Sequence, residues 1–162
     1  MIDPQIQVGY HAVFDGHGGA ECALFCKKNL HKELVKAFTR SEEGRKSLME
    51  EDDLNAALTA TIREAFSEND LKFKEKFPAQ SKQCGSTAVV CLLIGNKVVC
   101  ANLGDARAVL CRNGKAVDLS VDYKASRKDE QERIKSQGGY IVFGRVLGRL
   151  AVTRAFGDFE CK

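Results

Sequence analysis

No stretch of the sequence approaches the 18 or more apolar residues of a membrane span, so no transmembrane segment is expected. The opening residues, MIDPQIQ, lack the basic, then apolar, then small-residue plan of a secretory signal, and nothing marks the chain for export. Charge of one sign is also lacking: 25 Lys and Arg stand against 22 Asp and Glu, a formal +3 with both signs interspersed and no clustered patch. Such a weak field names no nucleic-acid partner. There is no repeat, low-complexity tract or linker, and no CxxC pair among the seven cysteines. That number is odd, and Cys84, Cys91, Cys100 and Cys111 sit in or beside apolar runs, which suggests buried thiols in a reducing compartment. Cys22 and Cys26, four apart, could share a helix face as a metal or redox pair. No matching His or Cys pair accompanies them, so buried thiols are the preferred reading.

What is present reads as one folded domain, since 162 residues with 44% hydrophobic and 29% charged composition are enough to bury a core without staples. Val8 to Phe14 reads as a strand ending in Asp15-Gly16. After Gly18-Gly19, Ala23, Cys26, Leu30, Leu34 and Ala37 recur at helical spacing. The stretch from Arg40 to Asp53 is polar and acidic. Asp53 is expected to cap a second helix carrying Leu58, Ile62, Ala65, Phe66 and Phe73 on one side, closed by Phe77-Pro78. The pattern then turns β-rich: STAVVCLLI, KVVCANL, ARAVLCR and KAVDLS, with Gly95-Asn96 and Asn113-Gly114 suited to tight hairpins and a further turn at Gly104-Asp105. An antiparallel meander is expected, with Ala88 to Ile94 covered on both faces. A helix capped by Ser126 and stopped by Gly138-Gly139 follows, then short extended segments at Tyr140 to Phe143 and Leu150 to Val152.

VFDGHGG, Val13 to Gly19, places a carboxylate and an imidazole at the end of a strand, with glycines that let the backbone approach a ligand. Asp15 offers hard oxygen to Mg²⁺ or Mn²⁺, the carbonyl of Gly16 can add a second oxygen, and His17 could act as acid or base near neutral pH. An Asp-Gly turn with a surface histidine would look the same on spacing alone. A second acidic group is needed, and Asp122 and Asp158 are the candidates, whereas an Asx turn accounts for Asp105. Arg107 and Arg154 could bind phosphate or form internal ion pairs.

Taken in order, VFDGHGG, CGSTAVV, ANLGDARAVLCRNGKA, DYKASRKDEQERIKSQGG and VLGRLAVTRAFGD resemble the metal-dependent serine/threonine protein phosphatases of the 2C type, with wording closest to plant-like members. The resemblance runs from Val8 to Lys162. It implies an α+β fold in which an antiparallel β-sandwich is flanked by helices on both outer faces, four layers in α-β-β-α order, incomplete in this chain. It also implies hydrolysis of phosphoserine and phosphothreonine in phosphoproteins by a water bridging two Mg²⁺ or Mn²⁺ ions. Asp15 and Gly16 correspond to the shared metal ligands, His17 to the acid that protonates the leaving oxygen, and Asp122 to a ligand of a third, weaker metal. Kinase-like or aspartate-nucleophile chemistry is disfavoured, because no GxxxxGK[ST] motif appears and no DxD follows the first strand.

Tyr123, Thr153 and Ala106 depart from the family's usual residues in ways the pattern tolerates. Absence matters more: the family's earlier strand, with a phosphate-binding arginine and a metal-site glutamate, and its later DG and Asp-Asn motifs do not occur between residues 1 and 162. The chain therefore reads as a partial domain, truncated at both ends, and is expected to be weak or inactive alone and prone to self-association through unpaired sheet edges. A non-catalytic interaction module on the same fold is the alternative. The absent signal and unpaired thiols point to an intracellular location, cytoplasmic or nuclear, with no nucleic-acid or membrane partner.

Overall fold

A computed structural model describes residues 7–49 and 56–162. The first strand, β1 (Val8–Val13), gives way to a two-residue strand, β2 (Gly16–His17), and then to the helix α1 (Glu21–Arg40). Helix α1 buries Cys22, Phe25, Cys26, Leu30, Leu34 and Ala37, the stripe its spacing predicts, although Ala23 is only half-buried. The polar stretch that follows is not a plain connection but a short helix, α2 (Glu42–Met49). Its start is set by Ser41, whose hydroxyl accepts the Gly44 amide at 2.8 Å, with Glu42 and Glu43 in the first turn. Helix α3 (Ala56–Lys76) presents Leu58, Ile62, Ala65 and Phe73 inward and stops before Phe77-Pro78. Its expected cap, Asp53, lies outside the described residues.

Helices α1 and α3 meet through Phe25, Phe73 and Phe77, whose ring centroids lie 5.5 to 6.2 Å apart. A buried carboxylate joins the same seam: Glu33 takes Lys72 at 2.5 Å and Lys36 at 3.1 Å. Two further short and long strands follow, β3 (Gly85–Ser86) and β4 (Ala88–Ile94), then β5 (Lys97–Leu103) across the Gly95-Asn96 turn. β4 is central, with β1 and β5 antiparallel on either side. Ala88, Val90, Leu92 and Ile94 face the helices and share their core with Leu30, Phe73 and Val99. The other face is covered only in part: Val89 is buried and Cys91 half-buried, whereas Leu93, with Val13 and Val98 on the neighbouring strands, is exposed. Strand alternation is the reason, since only every second residue of β4 meets α1 and α3.

The expected meander also breaks. β6 (Val109–Arg112) and β7 (Lys115–Asp118) form their own hairpin across Asn113-Gly114 and do not extend β5. Helix α4 (Lys128–Ser136) starts from Arg127 with no side-chain cap, so Ser126 does not play that part. Its end is as expected: Gly138 has φ +79°, its amide reaches the Lys135 carbonyl and the Gly139 amide the Ile134 carbonyl. The last segments pair as β8 (Ile141–Val142) with β9 (Arg145–Val146), while β10 (Phe156–Gly157) joins β3 and β2 in a second small sheet. The described elements thus comprise four α-helices with antiparallel sheets.

Glu130 ties α4 to the rest. Its side chain is 2% exposed and receives the guanidinium groups of Arg154 at 2.6 Å and Arg133 at 2.8 Å. Burial alone would push its carboxyl up, but the hydrogen bonds from Arg133 and Arg154 outweigh burial and hold it at about 2. A carboxyl lowered on folding stabilises above its ordinary value and loses that contribution as pH falls toward the folded value. Glu130→Gln is expected to cost about 3 kcal/mol at pH 7, because two guanidinium groups lose their anion. The gap between wild type and variant should shrink as pH drops below about 4.5, as read by urea unfolding across that range.

Candidate active site

Thr87 stands immediately before β4 and fixes the backbone of Asp15 from both sides. Its hydroxyl accepts the Asp15 amide at 3.3 Å, and its own amide donates to the Asp15 carbonyl at 2.9 Å. The carboxylate itself is exposed and takes no hydrogen bond or ion pair among the described residues. Gly16 follows in β2, where a Cβ would lie 2.9 Å from that of Ala23, so helix α1 packs against the bare backbone. Gly18 is required for the same reason: at φ +65° a side chain would strike the Gln83 carbonyl oxygen at 2.0 Å.

His17 pairs with Gly85 in the small sheet, and Gly85 pairs on its other side with Gly157. The imidazole Nε2 lies 2.6 Å from Oδ2 of Asp158, whose side chain is 6% exposed. Gly85 makes this contact possible, because a Cβ there would sit 2.0 Å from the Asp158 carboxylate and 2.6 Å from His17 Nε2. Asp158 holds a left-handed backbone at φ +52°, and its amide bonds to the Cys84 carbonyl at 3.2 Å. The preceding residue is anchored to α3, where Asp70 Oδ1 accepts the Gly157 amide at 2.7 Å.

The hydrogen bond to Asp158 raises the His17 pKa above its ordinary value. Burial opposes this, and the charges of Asp158, Asp15 and Asp105 add to the rise. An imidazole held in this way can keep a proton nearer neutral pH and offer it to a group in the adjoining hollow. That hollow holds about 360 Å³, within the range of ligand sites, and is lined by Lys82, Gln83, Arg149 and Glu160 beside His17 and Asp158.

Asp122 is not brought to this place by any contact. Both of its oxygens are taken by Arg107, at 3.0 Å from Nε and 2.8 Å from Nη2, and these bonds hold its carboxyl below the usual range. It lines a separate hollow with Ser120, Lys124 and Arg127. Asp105, read from sequence as a turn residue, pairs with Lys124 at 3.2 Å yet still adds negative potential at His17. Arg154, the other candidate for phosphate, is spent on Glu130, and its guanidinium stacks 4.6 Å from the ring of Tyr123, which Arg127 also covers at 5.1 Å. Tyr123 thus has a structural use as a platform between two cations. Cys22 and Cys26 are fully buried, Cys26 accepting from Asn69 Nδ2 at 3.3 Å.

Asp15 and the Gly16 carbonyl have the donor chemistry of a hard divalent cation, and the open, unpartnered carboxylate fits such an ion. They fit as part of a shell: among the described residues no group of three or more His, Cys, Asp or Glu is placed to hold a metal. Sequence reasoning missed the two residues that arrange the site, Thr87 and Gly85. The CGSTAVV string contained both, but only the strand pairing shows what they touch.

A family model described as protein phosphatase 2C matches residues 2–162. Among curated proteins, the chain is 42% identical over 158 residues to "Probable protein phosphatase 2C 11" of Arabidopsis thaliana, covering 96% of this chain and 39% of that protein. It is 38% identical over 160 residues to "Probable protein phosphatase 2C 45" of Oryza sativa subsp. japonica, covering 97% of this chain and 51% of that protein. A solved structure of a C. elegans sex determining protein superposes with a TM-score of 0.74 at 27% identity, over 93% of this chain and 36% of the other. The chain belongs to the protein phosphatase 2C family. It spans between about two fifths and one half of the length of these curated relatives.

The His17–Asp158 contact yields a direct prediction. Asp158→Asn should lower the His17 pKa, read from the imidazole resonances in an NMR pH titration. A raised histidine stabilises below its unfolded value near pH 6.5 and loses that contribution as pH rises through the folded value. The stability difference between wild type and Asp158→Asn should accordingly be larger at pH 5.5 than at pH 8.5.

Proposed function

We propose that residues 1–162 form part of one catalytic domain that hydrolyses phosphoserine and phosphothreonine esters of phosphoproteins. The observation that supports this reading is a free carboxylate, Asp15, two residues before an imidazole clamped by a buried carboxylate at 2.6 Å. In this reading Asp15 and the Gly16 carbonyl hold Mg²⁺ or Mn²⁺, two ions in the complete protein. The bound ions supply charge neutralisation and an activated water to the phosphoryl group. His17 keeps a proton with the help of Asp158 and delivers it from the hollow to the departing seryl or threonyl oxygen. Lys82 on the rim favours an anionic group there, while Arg149 is paired with Glu160 at 2.9 Å. Asp122 enters the ligand set of a third metal only by exchanging Arg107 for the cation.

The exposed face of β1, β4 and β5 carries Val13, Leu93 and Val98, as expected of a sheet whose second layer lies elsewhere in a longer protein. We therefore assign the four-layer sandwich to the complete domain. The chain alone should self-associate through the open edges of β1 and β5, since among the described residues each pairs with β4 on one side only. Seven free thiols support an intracellular setting, cytoplasmic or nuclear. A second reading, a non-catalytic module that binds a partner through the same fold, is favoured by the incomplete metal donor set among the described residues.

Titration of Mn²⁺ against the chain and against a full-length relative, with a phosphothreonine peptide as substrate, separates the two. The enzymatic reading expects weak turnover by the chain, strong turnover by the longer protein, and a loss of about 100-fold or more on His17→Gln. It also expects Asp15→Asn to abolish metal-dependent turnover. Undiminished activity of the Asp15→Asn protein would overturn it, and an inert longer protein that binds phosphopeptide would favour the module.

A further inference from the structure

Helix α3 carries an acid where its pattern calls for an apolar side chain. Phe66, Asp70 and Phe73 recur at spacings of four and three and so share one face of the helix. Phe73 is fully buried, and the ring of Phe66 lies 5.3 Å from that of Phe156 on β10. Asp70 stands between them with its side chain only 18% exposed. A carboxylate in such a place is costly unless hydrogen bonds compensate it. One oxygen, Oδ1, accepts the Gly157 amide at 2.7 Å, and the other meets the ammonium of Lys162.

The bond to Gly157 sits where the chain turns toward His17. Gly157 and Asp158 are both left-handed, at φ +72° and +52°, and an aspartate adopts that conformation only at a cost. Such a turn persists where its surroundings hold it, and two acceptors do so. Asp70 fixes the peptide plane between Phe156 and Gly157, while the Cys84 carbonyl takes the Asp158 amide at 3.2 Å and fixes the next plane. Gly157 lies so close to β3 that a Cβ would strike the Cys84 carbonyl oxygen at 2.1 Å. His17, by contrast, is placed by its own pairing with Gly85. The direction of the Asp158 carboxylate therefore depends on Asp70, whereas the backbone of His17 does not. These contacts join α3 to the small sheet and use no residue of β1, β4 or β5.

We propose that Asp70 is a positioning residue for protonation of the leaving oxygen: through the Gly157 amide it aims the Asp158 carboxylate, which orients the His17 imidazole. The inference rests on the reading of His17 as the acid and adds to it a residue on a different layer of the fold. A departing seryl or threonyl oxygen is a strong base that needs a proton, whereas p-nitrophenolate departs without one. A misaimed acid penalises peptide substrates and spares p-nitrophenyl phosphate; a general loosening of the fold penalises both.

Variants are compared, with Mn²⁺, in the complete protein of which residues 1–162 form part, on a phosphothreonine peptide and on p-nitrophenyl phosphate. Asp70→Ala should lose about tenfold or more in kcat on the peptide and change little on p-nitrophenyl phosphate. Asp70→Asn keeps an oxygen in the same place and should restore most of the loss. Asp70→Glu keeps the charge but moves the oxygens by one methylene; it should show the selective loss too, and it serves where the Ala variant does not fold. Lys162→Met, which removes the other partner of Asp70, should leave both rates unchanged. In residues 1–162 alone, hydrogen exchange at the Gly157 amide should quicken about tenfold in Asp70→Ala and less in Asp70→Asn, with Val90 on β4 unchanged. Equal losses on the two substrates, no loss, no restoration by Asn, unaltered exchange at Gly157, or a selective loss in Lys162→Met would overturn the proposal. His17→Gln tells this apart from a failure of the underlying reading, since its loss should be larger and equally selective. A complete protein inert on both substrates, or a His17→Gln protein equally impaired on both, would overturn the acid assignment and the proposal together.

Discussion

The contact between His17 and Asp158 joins residues 141 positions apart, and the rest of the site depends on it. It needs a backbone with no side chain between the two groups, which Gly85 supplies, and a left-handed turn at Asp158 that aims the carboxylate inward. Asp70 on α3 holds the preceding amide, so the helix layer, the small sheet and the late segment are fastened at one point. Removing any one of these supports would leave an acidic side chain buried without its partner, a costly arrangement in a low-dielectric setting.

Charge is distributed around this contact in a way that leaves Asp15 distinct. Arg107 is bound to Asp122, Arg154 and Arg133 to Glu130, and Lys72 with Lys36 to Glu33. These pairs fix loops and helices to one another and are satisfied internally. Asp15 has its backbone pinned by Thr87 while its carboxylate pairs with no cation among the described residues. In the proposed reading this anion, which with Asp158 and Asp105 adds negative potential at His17, is where a divalent cation would be held.

The helices were legible because burial repeats with the helical period: Cys26, Leu30 and Leu34 on α1, and Leu58, Ile62 and Phe73 on α3, are buried where the pattern puts them. Hairpin turns at Gly95-Asn96 and Asn113-Gly114 were legible from backbone preference alone. Helix α2 was not, since its signal is a single serine cap within a run too polar to show a stripe. A continuous apolar string does not say how far each face of β4 is covered: Val89 is buried on the face away from the helices, whereas Leu93 on the same face is exposed. Asp15, Gly16 and His17 stood out as a local string. Their dependence on Thr87, Gly85 and Asp158 was not visible, since strand pairing brings these residues together and their sequence separation carries no trace of it.

In the proposed reading divalent cations gather about Asp15, and paramagnetic broadening by Mn²⁺ measures this even where binding is weak. On adding substoichiometric Mn²⁺ to the isotope-labelled chain, backbone amide resonances of Asp15, Gly16 and His17 should broaden first, and Asp15→Asn should remove the effect. Broadening centred on Asp122 and Lys124, or spread evenly over the acidic surface, would contradict the account.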